Sequence, residues 1–120
     1  MGINFAQEVA VHGDALQLRT ERTRILASNI ANENTPGYQA QDMDFAATMA
    51  AATATAGGAL APAGAQDTLY RVPFHPSGDG NTVEIGVEQA AFAQNASDYQ
   101  TSLTFLSMQI KGIAKAINGQ

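Results

Sequence analysis

From Phe92 to Ile117 the chain places apolar residues at a spacing that only a helix with a partner satisfies. Phe92, Ala96, Tyr99, Leu103, Leu106, Ile110, Ile113 and Ile117 follow one another at intervals of four and three without a break. Strands alternate every second residue, so this is the stripe of a helix with the heptad period of a coiled coil. Placing Phe92, Tyr99, Leu106 and Ile113 at heptad position d puts Ala96, Leu103, Ile110 and Ile117 at position a. The simplest partner lies at the other end of the same chain. Residues 8–34 read as a first long helix, whose Val11, Ala15, Leu16, Leu18, Ile25, Leu26 and Ile30 spread over an arc of roughly 180°. The expected fold is therefore mainly α. Long N- and C-terminal helices pair as an antiparallel, coiled-coil-like hairpin around an irregular, partly mobile middle segment.

The arc on the first helix is wider than one seam uses, so this helix is expected to meet more than one neighbour. Arg22 and Asn29 fall inside the arc and Arg19 falls beside Leu26. These polar side chains either reach outward from the edge of the stripe or bond to another subunit. A second, weaker stripe on the C-terminal helix, Val87, Ala90, Ala91, Thr101, Phe105 and Met108, lies opposite the heptad row. Arg19, Arg22, Asn29, Val87, Phe105 and Met108 are accordingly the candidate intersubunit face. Full burial of a large apolar side chain contributes roughly 1.5–3 kcal/mol, against roughly 1.5 kcal/mol per residue for ordering the chain. Two paired helices alone are marginal, and the chain is expected to become well ordered among neighbours.

The first helix ends abruptly. Pro36 has no amide hydrogen and drives Thr35 out of the helical region. Pro at the second and Gly at the third position of a four-residue turn marks a type II turn, because Gly37 tolerates a positive φ. The helix should stop near Asn34, and an extended segment should leave from Tyr38. Asn29, Asn32 and Asn34 are poor helix formers, so their amides are expected to bond neighbouring chains or backbone.

Between the helices the composition changes. Asp44 is placed to cap a short helix over about 45–56, which Gly57 and Gly58 stop. Ala46 to Ala65 is mostly Ala, Thr and Gly, which bury little area, so its later part is expected to be mobile in a free subunit. Leu69 to Val72 suits a short extended segment, Phe74 to Gly80 is rich in turn residues, and Asn81 with Glu84 suits a capping pair for the last helix. The reading is one domain: an N-terminal helix region over 1–35, a middle segment over 36–82 and the heptad helix over 83–120.

Nothing in the pattern points to catalysis. His12 and His75 lie 63 positions apart, and Asp42 with Asp44 suits extended or capping geometry. Calcium, phosphate-loop, nucleophile-elbow and zinc-protease patterns do not occur. No enzyme activity, catalytic residue, cofactor, metal or small-molecule substrate is expected. The balance of 6 basic against 11 acidic residues, a net charge of −5, argues against a nucleic acid or an anionic membrane as partner. Without cysteine there are no disulfides and no thiolate metal sites. The first eight residues lack a basic region followed by an apolar run, so no cleaved signal peptide is expected.

The residues around the turn carry a resemblance. Leu26, Ala27, Ser28, Asn29, Ile30, Ala31 and Asn32, followed by Asn34, Thr35, Pro36, Gly37 and Tyr38, resemble the signature of the bacterial flagellar axial proteins. At 120 residues the chain has no room for the inserted outer domains of hook and distal-rod subunits. Gln41 to Phe45, Asp79 to Glu84, Glu88 to Ala93, Tyr99-Gln100 and Leu103 to Leu106 are similar to a short proximal rod subunit. The match covers roughly residues 15–45 and 78–117. The resemblance implies a structural subunit of the basal-body rod, exported unfolded by the flagellar type III apparatus without a cleaved signal and sited in the periplasmic space. It implies helical assembly with other rod subunits, the MS ring and its rod adapter. The readings set against it are another short rod subunit and a soluble coiled-coil adaptor or export chaperone.

Overall fold

The computed structural model describes residues 4–54 and 68–119. Helix α1 spans Phe5–Ala31, and its start is set by Asn4, whose Oδ1 accepts the Gln7 N–H at 3.2 Å. That cap brings the helix in three residues earlier than its apolar pattern suggests. Its end also comes earlier, with Asn32 in the C-cap position, and Asn32 donates its Nδ2 to the Ser28 carbonyl at 2.8 Å. Helix α3 spans Ile85–Asn118 and closes on Gly119 at φ +69°. The two long helices run antiparallel. Glu8 meets Gln109 at 3.1 Å, the His12 and Phe105 rings stack with centroids 6.5 Å apart, and Arg19 meets Asp98 at 3.3 Å. The result is an elongated body of 64 × 27 × 19 Å.

The Pro-Gly turn forms as its residues require. Gly37 has φ +73°, and the Tyr38 N–H donates to the Thr35 carbonyl at 3.2 Å. The chain then enters β1 (Gln41–Met43), which pairs antiparallel with β2 (Thr68–Tyr70) in the register Gln41 to Tyr70, Asp42 to Leu69 and Met43 to Thr68. Helix α2 (Phe45–Ala54) follows β1, and Asp44 Oδ1 caps it by accepting the Ala47 N–H at 3.0 Å. The small core sits where these pieces meet α1: Leu18, Ile25 and Met43 are buried, with Phe45 and Met49 packed on them. The Arg19 guanidinium lies 4.0 Å over the Phe45 ring. The Gly57-Gly58 stop and the later part of the small-residue run, for which mobility was expected, lie outside the described residues.

The start of α3 differs from expectation. Glu84 occupies the N-cap position, but its side chain caps nothing on α3 and instead accepts the Phe74 and His75 N–H groups, each at 3.1 Å. Asn81 also leaves α3 uncapped, because its amide is used at the end of α1.

Candidate assembly site

A helix end leaves four backbone carbonyls without intrahelical partners. At the end of α1 the Asn32 and Glu33 N–H groups take the Ser28, Asn29 and Ile30 carbonyls, and the Asn81 side chain supplies donors to the carbonyls of the turn that follows. Its Nδ2 lies 2.9 Å from the Asn32 carbonyl and 2.8 Å from those of Glu33 and Thr35, while its Oδ1 accepts the Val83 N–H at 2.7 Å. The Gly37 N–H donates to the Asp79 carbonyl at 3.0 Å and the Thr82 N–H to the Tyr38 carbonyl at 2.9 Å, so the turns at 35–38 and 79–82 are bonded face to face. Gly80, at φ +77°, is the second residue that this close approach needs. Thr82 Oγ1 accepts the Ala40 N–H at 2.7 Å and completes the clasp.

Asn29 anchors a second layer. Fully buried, it pairs with the backbone of Gln41 as a neighbouring strand would: Nδ2 donates to the Gln41 carbonyl at 2.6 Å and Oδ1 accepts the Gln41 N–H at 3.1 Å. The same Nδ2 donates to Glu88 Oε2 at 2.9 Å, and the Tyr38 hydroxyl donates to Asn29 Oδ1 at 3.3 Å. Glu88, also fully buried, is paired with Arg71, whose Nη2 reaches Asp42 Oδ2 at 2.7 Å. Arg22 closes the network with a two-pronged contact to Asp42 at 2.9 and 3.0 Å. Burial works to raise the Asp42 carboxyl. The Arg22 hydrogen bonds, the Met43 N–H and Arg71 outweigh it, and hold the group below the usual carboxylate range. The Asp42 hydrogen bond in turn raises Arg22 above its ordinary value. One arginine just past β2 thus ties β1 to α3, and one asparagine on α1 ties both to the first helix.

The signature residues therefore divide. Leu26 and Asn29 are buried, Ile30, Asn32 and Tyr38 are half-buried, and Ala27, Ser28, Ala31, Asn34, Thr35, Pro36 and Gly37 are exposed. Of the candidate intersubunit residues on α1, Arg19, Arg22 and Asn29 bond carboxylates and backbone of their own chain rather than facing outward. On α3, Val87 is half-buried, whereas Phe105 and Met108 are exposed.

The expected helix-pairing seam shifts by one position on one of its two rows. Tyr99, Leu106 and Ile113 are half-buried, and Phe92 sits at the edge of exposure. The row Ala96, Leu103, Ile110 and Ile117 is exposed. Its place against α1 is taken by Glu88, Asn95, Ser102 and Gln109, of which Glu88 and Asn95 are fully buried. Asn95 Nδ2 donates to the Arg19 carbonyl at 2.9 Å and to Thr23 Oγ1 at 2.8 Å. The physical reason is that bonding lowers the cost of burying polar groups, and α1 together with Arg71, just past β2, supplies the bonds. This row repeats every seven residues and is visible in the sequence, but as a polar row it carried no signal for burial.

At the far end of the hairpin, Phe5, Val9, Gly112, Ile113 and Ala116 line an apolar groove of about 240 Å³. Among the described residues there is no cluster of metal-binding side chains, and no helix is long and apolar enough to cross a membrane.

A family model described as flagella basal body rod protein matches residues 10–39, the part that carries the Asn-rich helix end and the turn. Over longer spans the chain is similar to proteins named flagellar basal body rod protein FlgB. That of Cereibacter sphaeroides is 45% identical, with 97% of this chain and 98% of the relative covered. That of Salmonella typhimurium is 45% identical over 88% and 89% of the two chains, and that of Aeromonas hydrophila 37% identical over 100% and 99%.

Proposed function

The chain belongs to the FlgB family of flagellar basal body rod proteins, and from that premise we propose that it is a wall subunit of the proximal rod, packing laterally into a torque-transmitting shaft around the export channel. Membership makes it a component of the basal body rod, assembled with other rod and basal body components, in a structural family not known to be enzymatic. The observation that carries the finer reading is the apolar surface that α3 leaves exposed on two of its sides. Leu103, Ile110 and Ile117 are 40%, 52% and 79% exposed, and Phe105 and Met108 are 53% and 61% exposed. Such a length of apolar side chain left to solvent on one helix marks an interaction surface. Covering what remains exposed of these five side chains contributes on the order of 5 kcal/mol, offset by the cost of association.

In this reading the contact is heterologous: the exposed rows of α3 meet a different surface of the neighbouring subunit. Heterologous contacts that do not close generate helical filaments, which is the geometry a rod requires. The neighbours in this reading are other rod subunits, the MS ring and its rod adapter. The chain reaches the periplasmic space through the flagellar type III export apparatus, without a cleaved signal. The clasp fixes the direction in which the middle segment leaves the end of α1.

The test is to purify hook–basal bodies from cells carrying an epitope-tagged copy, and to probe them after hook and outer rings have been dissociated. Tag retained in the innermost rod fraction is the expected result. Tag confined to the cytosol while intact rods assemble overturns the reading and favours a soluble adaptor.

A further inference from the structure

We propose that the polar row Glu88, Asn95, Ser102 and Gln109 is a register lock, which holds α3 in one alignment on α1 and so decides which of its apolar rows is left for partners. The lock concerns the folding of a single chain and stands independently of the rod reading.

The cross-helix contacts form a ladder. Asn29 meets Glu88, Thr23 meets Asn95, Arg19 meets Asp98, His12 meets Phe105 and Glu8 meets Gln109. Steps of 6, 4, 7 and 4 residues along α1 answer steps of 7, 3, 7 and 4 along α3. Four of these five rungs are polar, so the alignment is specified by hydrogen-bond partners rather than by apolar contact.

Apolar periodicity alone does not specify it. Sliding α3 by one heptad keeps Tyr99, Leu106 and Ile113 on the seam. Turning it by one residue brings Leu103, Ile110 and Ile117 inward, which on hydrophobic grounds is the better-filled arrangement. Both alternatives take Glu88 away from Asn29 and Arg71, and Asn95 away from Thr23 and the Arg19 carbonyl. A carboxylate and an amide would then be buried without partners, or apolar surface would be given up to keep them wet, and either is strongly unfavourable. Buried polar residues at core positions of paired helices select one register in this way, at a cost in stability. The consequence here is that the apolar row most able to fill the intramolecular seam is held outside.

The absence of cysteine makes the test direct. Spin labels on Gln17→Cys and Gln100→Cys, both exposed helix positions, report the alignment of the helices by their dipolar distance. Alkylation of Ile110→Cys, in an otherwise cysteine-free chain, reports whether the outer row stays outside. The unaltered seam should give one narrow distance and fast alkylation. In Glu88→Leu/Asn95→Leu, helicity by circular dichroism should persist. A second distance, longer by about 3–4 Å because the roughly 10 Å axial shift of a heptad slide runs at right angles to a pair that starts level, or an alkylation rate slowed by about fivefold or more should then appear. A helical variant with the original single distance and unchanged alkylation overturns the proposal. Asn95→Leu alone, which leaves the Glu88–Arg71 pair in place, repeats both readouts if the double variant does not fold. Loss of helicity in both variants would show that the row is needed for folding itself and not for choosing a register, and would overturn the proposal too.

Discussion

Replacing Asn81 with Ala removes the side chain that closes the end of α1 while leaving every apolar contact of the core in place. Asn81 is 6% exposed and not part of any hydrophobic cluster. Its amide has two hydrogens shared among three carbonyls, and its oxygen accepts one N–H, so three bonds are lost. At about 1 kcal/mol net each, with water able to reach the partly exposed carbonyls of Glu33 and Thr35, the loss is about 2–3 kcal/mol. For a domain of this size that corresponds to a fall in Tm of roughly 10–20 °C, measurable by circular dichroism. Hydrogen exchange offers a local readout: the Gly37 and Thr82 amides, which bond across the clasp, should lose protection before amides in the middle of α1. Asn34→Ala is the control, since Asn34 is exposed in the same turn and should change stability by no more than about 0.5 kcal/mol. If Asn81→Ala is as stable as Asn34→Ala, the clasp is not what closes the helix.

Two glycines should respond with opposite signs. Gly37→Ala places a side chain at φ +73° and should destabilise by about 1 kcal/mol, whereas Gly13→Ala, in α1 with nothing within 4 Å of the added Cβ, should stabilise by about 0.5–1 kcal/mol; equal shifts in denaturant midpoint would contradict the turn assignment. Asp42 has its folded pKa depressed, so its contribution is full above its unfolded value of about 3.9 and is lost as pH falls through the folded value. Urea unfolding at pH 7 and pH 3 should therefore show a smaller pH difference in Asp42→Asn than in the unaltered chain, and an equal difference would remove Asp42 as a source. Leu103→Asp, on the outer row, should change monomer stability by no more than about 0.5 kcal/mol yet prevent incorporation into purified rods; normal incorporation would exclude that row from the assembly interface.

The parts of the fold legible in advance were those whose causes are local. Pro36 and Gly37 ended one helix and shaped the turn, Asp44 capped α2, and the heptad pattern marked α3, because each effect acts within a few residues of its source. The two long helices and their antiparallel pairing followed from lengths and periodicity. Helix ends moved by about three residues because Asn4 and Asn32 capped more effectively than the apolar pattern foretold. The site was less legible. Asn81 read as the start of the last helix, yet it bonds carbonyls 46 to 49 positions away. Arg19, Arg22 and Asn29 read as outward-facing polar groups, yet Asp98, Asp42 and the Gln41 backbone draw them inward.

Periodicity and local turn chemistry were enough to form two long helices joined through a hard turn, and the Asn-rich helix end carried the family. Which face of α3 meets α1 was settled instead by contacts between residues far apart in the chain. Counting apolar residues ranks the rows of a helix by the water they would release. Whether a polar row is the one buried depends on donors and acceptors brought from elsewhere in the chain. Here Asn29 and Arg71 bond Glu88, and Thr23 with the Arg19 carbonyl takes the Asn95 amide N–H, so the polar row turns inward and Leu103, Ile110 and Ile117 remain outside, available to a neighbour.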